Sequence, residues 1–185
     1  MKREDVLHYL RTASKTEDEK ILALVDRAMA EVETAAATKT LYRIFDCSVS
    51  GDTVTVGGAE FHSTRLAENL NGCKRAVVFG ATLGVAVDRL INAAAATDIA
   101  LAMAYQAAAA AKIEEVCDNL EEEIKSSLGV TLRTRYSPGY FDLDIKEQKK
   151  LFSLLELTKR IGITLTDTLE MLPTKSVTAF IGTED

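Results

Sequence analysis

A chain of 185 residues with 47% apolar side chains can bury a sizeable core, and 22 basic against 28 acidic residues give a net charge of −6 without any lysine- or arginine-rich block. That balance argues against a nucleic-acid or anionic-membrane surface. Asp88, Asp98 and Lys112 interrupt the alanine-rich stretches before they reach membrane-spanning length, and the amino terminus lacks the apolar region of a signal peptide, so a cytoplasmic protein is expected. Cys47, Cys73 and Cys117 are odd in number, widely spaced and without a C-x-x-C pair, which predicts buried free thiols rather than a disulfide framework or a zinc site.

In chain order, residues 4–12 and 17–37 read as helices. The second is opened by Thr16 with Glu19 as a capping box and has an apolar face of Val25, Ala28, Met29 and Val32. Residues 41–49 and 53–56 are strand-like around a Ser50-Gly51-Asp52 hairpin turn, and a short helix over 64–70 ends at Asn71-Gly72. A buried strand over 75–79 is followed by Gly80-Ala81-Thr82-Leu83-Gly84, read as a tight turn into a helix over 85–94. No Gly-Lys-Ser/Thr follows to make it a phosphate loop.

Residues 98–127 form the longest predicted helix, with Ile113, Val116, Cys117, Leu120 and Ile124 on one face. At about 100° per residue Glu114 borders that stripe and Glu115 points nearly opposite, while Glu121 to Glu123 read as a solvated acidic face. Gly129 ends this helix. A strand over 131–136, a helix over 145–160 with Asp144 and Glu147 as capping box, and a terminal strand over 175–181 complete the pattern. Helices and strands interleave without βαβ regularity, which predicts an α+β fold with an antiparallel or mixed sheet around a long central helix. A single domain over 1–185 is expected, with a helical part over 1–40 and an α+β body over 41–185.

The run Arg135-Tyr136-Ser137-Pro138-Gly139-Tyr140 concentrates the binding chemistry. A guanidinium can hold a carboxylate through two parallel N–H bonds, Pro138 restricts Ser137 to an extended conformation, and Gly139 lets the backbone approach a flat ring. The plainer reading of Ser137-Pro138-Gly139 is a turn.

With Gln148, Leu151-Phe152, Ile161-Gly162-Ile163, Leu165-Thr166, Met171-Leu172-Pro173 and Lys175-Ser176-Val177 behind it, this run resembles the S-adenosylmethionine-binding activation domain of cobalamin-dependent methionine synthase, chiefly over residues 77–182. The resemblance implies that Arg135 holds the ligand carboxylate, the backbone at Ser137 and Gly139 meets the adenine, Tyr140 forms a wall and Glu114 matches the family's acidic residue on the long helix. It also implies a methyl donor for a cobalamin oxidised to its inactive cob(II) form, with a flavodoxin-type reductant. The family's aspartate near the domain start has no clear counterpart here, and its tyrosine after the last strand falls beyond Asp185.

The Asp-x-His-x-x-Gly pattern that supplies cobalamin's lower histidine is absent around His8 and His62, so cobalamin is expected on a partner. Both histidines read as ordinary surface or core residues. Two functions follow: an S-adenosylmethionine-binding reactivation subunit for a separate cobalamin-binding methionine synthase or related corrinoid protein, or a non-catalytic docking module that has lost nucleotide binding.

Overall fold

The computed structural model describes residues 1–12 and 16–184. Amphipathic spacing builds its first two helices: α1 (Arg3–Tyr9) buries Val6 and Leu7, and α2 (Glu19–Ala35) buries Val25, Ala28 and Val32. α1 stops before the expected residue 12 because Leu10 caps it and Arg11 turns to φ 55°. The cap of α2 is Asp18 rather than Thr16: its Oδ1 accepts the N–H groups of Lys20 and Ile21 at 2.9 and 3.3 Å, while Thr16 only accepts from Asp18 N. A carboxylate serves two amides at once and complements the positive helix end, which decides between the two candidates.

The strands are β1 (Lys39–Ser50), β2 (Thr53–Val56), β3 (Ala59–His62), β4 (Arg75–Thr82), β5 (Thr131–Leu132), β6 (Thr164–Leu165), β7 (Met171–Leu172) and β8 (Ser176–Glu184). A six-stranded sheet runs β3-β2-β1-β4-β8-β5 with every pairing antiparallel, and β6 and β7 form a separate hairpin. The helices after α2 are α3 (Thr64–Leu70), α4 (Val85–Ala95), α5 (Ile99–Leu128), α6 (Gln148–Leu155) and α7 (Leu157–Ile161). The fold is therefore α+β with an antiparallel sheet and a long central helix.

Central β4 is buried on both faces, as expected for a strand covered by helices on each side. Val77, Phe79 and Ala81 pack with α1, α2, α4 and α5, whereas Ala76 and Val78 pack with α3, α6 and α7. In the second layer Phe61 meets Phe180 edge-on at 4.9 Å between ring centroids. Fully burying such a side chain contributes about 1.5–3 kcal/mol, so each sheet face carries its own substantial core.

Several boundaries differ from the sequence reading. Gly80, Ala81 and Thr82 belong to β4, not to a turn. Gly80 is needed there for close packing, since a Cβ would stand 2.6 Å from Leu157 Cδ2, and the chain turns instead at Gly84 with φ 83°. The expected strand over 131–136 shrinks to β5 plus a single bridge from Tyr136 to Phe180. The helix expected over 145–160 is a 3₁₀ turn (Ile145–Glu147) followed by α6 and α7, broken at Glu156 with φ 53°. Arg43 Nη1 donates to the Leu154 carbonyl at 2.9 Å, satisfying it outside the helix, and the break lets Leu157 and Ile161 lie over Gly80. Asp144 caps this segment through Lys146 N at 2.8 Å, but Glu147 pairs with Lys150 instead of closing a capping box.

Candidate ligand-binding site

A cavity of about 840 Å³ opens between the end of α5, the segment after β5, the β6–β7 hairpin and the start of β8. Of the five candidate residues, Glu114, Arg135, Ser137 and Tyr140 line it, and Gly139 sits between the lining residues Pro138 and Tyr140. Leu169 and Met171 come from the hairpin, Ser176 and Thr178 from β8 and Gln148 from α6. The volume falls within the range of small-molecule pockets.

Local hydrogen bonds fix the loop that carries Arg135. Tyr136 N donates to Phe180 O at 2.9 Å and Phe180 N returns a bond to Tyr136 O at 2.8 Å, pinning the segment to β8. Tyr140 N then donates to Ser137 O at 3.3 Å across Pro138 and Gly139, and Gly139 sits at φ 89°. Proline followed by a positive-φ glycine is the chemistry of a type II turn. Gly139 N is spent on Leu143 O at 2.8 Å, and a Cβ on Gly139 would meet Ile145 Cδ1 at 3.1 Å. Ser137-Pro138-Gly139 is a turn, and Ser137 and Pro138 line the cavity. Tyr140 stands 64% exposed at its rim.

Arg135 does not project alone. Its Nη2 bonds to Glu114, and its Nη1 bonds to Glu121 and, at 2.7 Å, to Asp118. These acids lie four and three residues apart along α5, so helical geometry stacks them on one side. Burial alone would lower the Arg135 pKa, but the carboxylates of Glu121, Asp118 and Glu114 outweigh it and hold the proton more firmly than usual. The cluster corrects the reading of Glu121 as part of a solvated acidic face, because its side chain is only 16% exposed. Glu115 also departs from expectation. It pairs with the Met1 ammonium and with Lys112 rather than pointing freely into solvent.

Two residues beside the site, neither of them lining the cavity, escaped the sequence reading. Asp142, just beyond the motif, accepts from Ser63 Oγ at 2.6 Å and Thr64 N at 2.7 Å, anchoring the loop to the first turn of α3. The Ser63 hydroxyl, aided by the Thr64 and Arg65 amides, holds its carboxyl below the usual range. Tyr9 of α1 comes close enough that, after burial, Glu114 is the next influence raising its hydroxyl pKa. Neither had a motif to mark it. His8 and His62 are exposed, and His62 Nδ1 lies 3.2 Å from Thr53 Oγ1. Among the described residues no group of three or more His, Cys, Asp or Glu side chains could hold a metal, and no helix is long and apolar enough to cross a membrane.

The profile of the family described as vitamin B12 dependent methionine synthase, activation domain, matches residues 84–185, more than half of the chain. The chain belongs to this family. The matched span contains all five candidate residues, and α5, the Arg135 loop and β8 are the family's portion of the fold. A solved structure, the MetH reactivation domain bound to AdoHcy, superposes with a TM-score of 0.69 at 16% identity over 90% of this chain. That likeness shows the fold, extending it to the helices and strands before residue 84. The chain spans 65% of that structure's length. No curated protein sequence matches the chain.

Proposed function

We propose that this activation-domain chain binds S-adenosylmethionine in the cavity beside Arg135 and supplies its methyl group for reductive remethylation of cob(II)alamin on a separate cobalamin-dependent methionine synthase. The observation that carries the reading is that Glu114, Arg135, Ser137 and Tyr140, which the family resemblance singles out, border one cavity of about 840 Å³ within the family-matched region. Arg135 would take the carboxylate by exchanging one of its own acids for that of the ligand, and Glu114 and Glu121 would face the ammonium and sulfonium end. The backbone at Ser137 and Gly139 would meet the adenine, with Tyr140 closing over it.

A sulfonium methyl is already activated, so the chain needs no general base. Its residues bind and orient, which can supply a large part of a rate enhancement. Reduced cobalamin on the partner, a methionine synthase or related corrinoid protein, is the acceptor, and a flavodoxin-type reductant fits the reductive step. We take residues 1–185 as a single domain working in the cytoplasm. Calorimetric titration with S-adenosylmethionine tests the binding, and a spectral change of the partner's corrinoid on mixing with this chain, S-adenosylmethionine and a reductant tests the transfer.

One observation favours a second reading. The guanidinium meant for the ligand is already engaged by Glu114, Asp118 and Glu121. A docking module for a corrinoid protein that had lost nucleotide binding could retain such a self-contained cluster. No heat of binding with S-adenosylmethionine, together with retained association with the corrinoid protein, would establish that alternative.

A further inference from the structure

Six polar side chains are buried in the described structure: Ser63, Thr82, Gln148, Ser176, Thr178 and Thr183. Four have partners. Ser63 bonds to Asp142, Ser176 lies within hydrogen-bonding distance of Thr82 and the Pro173 carbonyl, and Thr183 bonds to the Arg75 carbonyl. Gln148 and Thr178, at 3% and 2% exposure, have no side-chain hydrogen bond among the described residues. Both line the cavity beside Arg135. With no protein partner and a place on the cavity wall, both polar groups are left for a ligand or water to satisfy.

The two come from separate elements. Gln148 opens α6, and Thr178 sits in β8 on the same sheet face as Phe180, which packs with α6. Their placement on opposing elements around one cavity is not a consequence of local turn chemistry. A glutamine amide presents a carbonyl acceptor and an NH₂ donor side by side in one plane. The matching partner is a flat edge with a donor next to an acceptor, and adenine's amino group beside a ring nitrogen is such an edge, which glutamine pairs bidentately.

We infer that Gln148 reads the amino-bearing edge of the adenine in this cavity, with the Thr178 hydroxyl completing the polar wall, so that the site selects adenine nucleosides by side chain as well as by loop backbone. This rests on the nucleoside-binding reading above and adds a specificity residue to it. Adenine has two hydrogen-bonding edges, and the backbone at Ser137 and Gly139 can occupy only one. Gln148 serves the other.

The test compares S-adenosylhomocysteine with its analogue bearing unsubstituted purine, titrated into the wild-type chain and into Gln148→Leu and Thr178→Val. Wild type is expected to prefer the adenine compound by about tenfold or more, because a site built to bond a polar group rejects the analogue lacking it. Gln148→Leu should lose most of that preference while its ligand-free Tm stays level, since the amide has no protein partner to lose and leucine is of similar size. Equal affinity of wild type for both compounds would overturn the assignment of Gln148 and leave the nucleoside site standing. A preference that survives in Gln148→Leu would do the same. Binding of neither compound would overturn both. Should Gln148→Leu fail to fold, that would mark a structural role and count against the inference, and the wild-type ratio and Thr178→Val would still decide it.

Discussion

Arg135 Nη1 donates to Asp118 Oδ1 at 2.7 Å, so the cation proposed to hold a ligand carboxylate is held in part by a carboxylate of its own chain. The Asp118 side chain is 65% exposed, against 16% for Glu121, which makes Asp118 the acid that a ligand displaces most easily. Asp118→Asn should therefore tighten binding of S-adenosylmethionine by about 1.5- to 5-fold, matching the ~0.2–1 kcal/mol of an exposed ion pair. Arg135→Ala should weaken it by about 2–4 kcal/mol, the usual cost of removing one partner of a desolvated charge pair. Calorimetry on both variants checks the pair. Weakening by Asp118→Asn would mean that Asp118 belongs to the ligand's shell.

Glu114 and Glu115 should separate cleanly, though not as helical phase alone suggests. Glu114 borders the cavity and pairs with Arg135, so Glu114→Gln should reduce ligand affinity. Glu115 ties α5 to the Met1 ammonium and Lys112, so Glu115→Gln should leave affinity unchanged and lower stability by about 0.5–1 kcal/mol. Paired titrations and thermal melts measure this. Similar effects on affinity from both substitutions would contradict the geometry.

What the sequence revealed follows the range of each signal. α5 was legible because its apolar stripe runs over many turns, and Asp98 and Gly129 mark both ends. The Arg135 loop was legible because turn chemistry is local. β3 went unread, since four residues between Gly57-Gly58 and Ser63 are too few to show alternation. The α6–α7 break depends on Arg43, 111 residues from Leu154, and the anchoring of Asp142 depends on Ser63, 79 residues away. Such partners have no local trace. Glu121 was misjudged because its companions look solvated, and only the Arg135 segment crossing α5 sets it apart.

The glycines of the sheet invite a further test. Gly182 lies in β8, where a Cβ would stand 2.6 Å from Cys73 Sγ, 2.9 Å from Leu70 Cδ2 and 3.3 Å from Arg133 Cδ. Three crowded neighbours cannot all yield, so Gly182→Ala should destabilise by about 1–3 kcal/mol. Gly51→Ala, with nothing within 4 Å, meets only the strain of φ 63°. Chemical denaturation of both separates packing from backbone strain, and equal losses would remove the packing argument.

Thiol chemistry should be silent in the folded chain. Burial pushes the Cys117 thiol up to about 12, with Arg135 partly opposing, and the Cys47 thiol up to about 11, with Cys73 adding to the rise. The reactive thiolate is then a minute fraction at pH 8. Iodoacetamide at that pH should label neither cysteine natively and both after denaturation, and fast native labelling read by mass spectrometry would show that these sites open.

Acid should release the Tyr140 loop. Asp142 holds the segment to Ser63, Thr64 and Arg65, and these donors lower its folded pKa. A carboxyl whose pKa is depressed by folding contributes in full above its unfolded value of about 3.9, and the contribution is lost as pH falls through the lower folded value. Ligand affinity and amide protection over residues 136–143 should therefore be flat through neutral pH and fall only below about pH 4. Asp142→Asn retains one acceptor oxygen but has no proton to gain there, so its loop protection should be lower at pH 7 and should lack the acid step. Hydrogen exchange at pH 7 and pH 3, corrected for intrinsic rates, reads both. If wild type and Asp142→Asn lose protection along the same pH curve, the Asp142 anchor does not govern the loop, and its order must come from the Tyr136–Phe180 bridge and the loop's own turn hydrogen bonds.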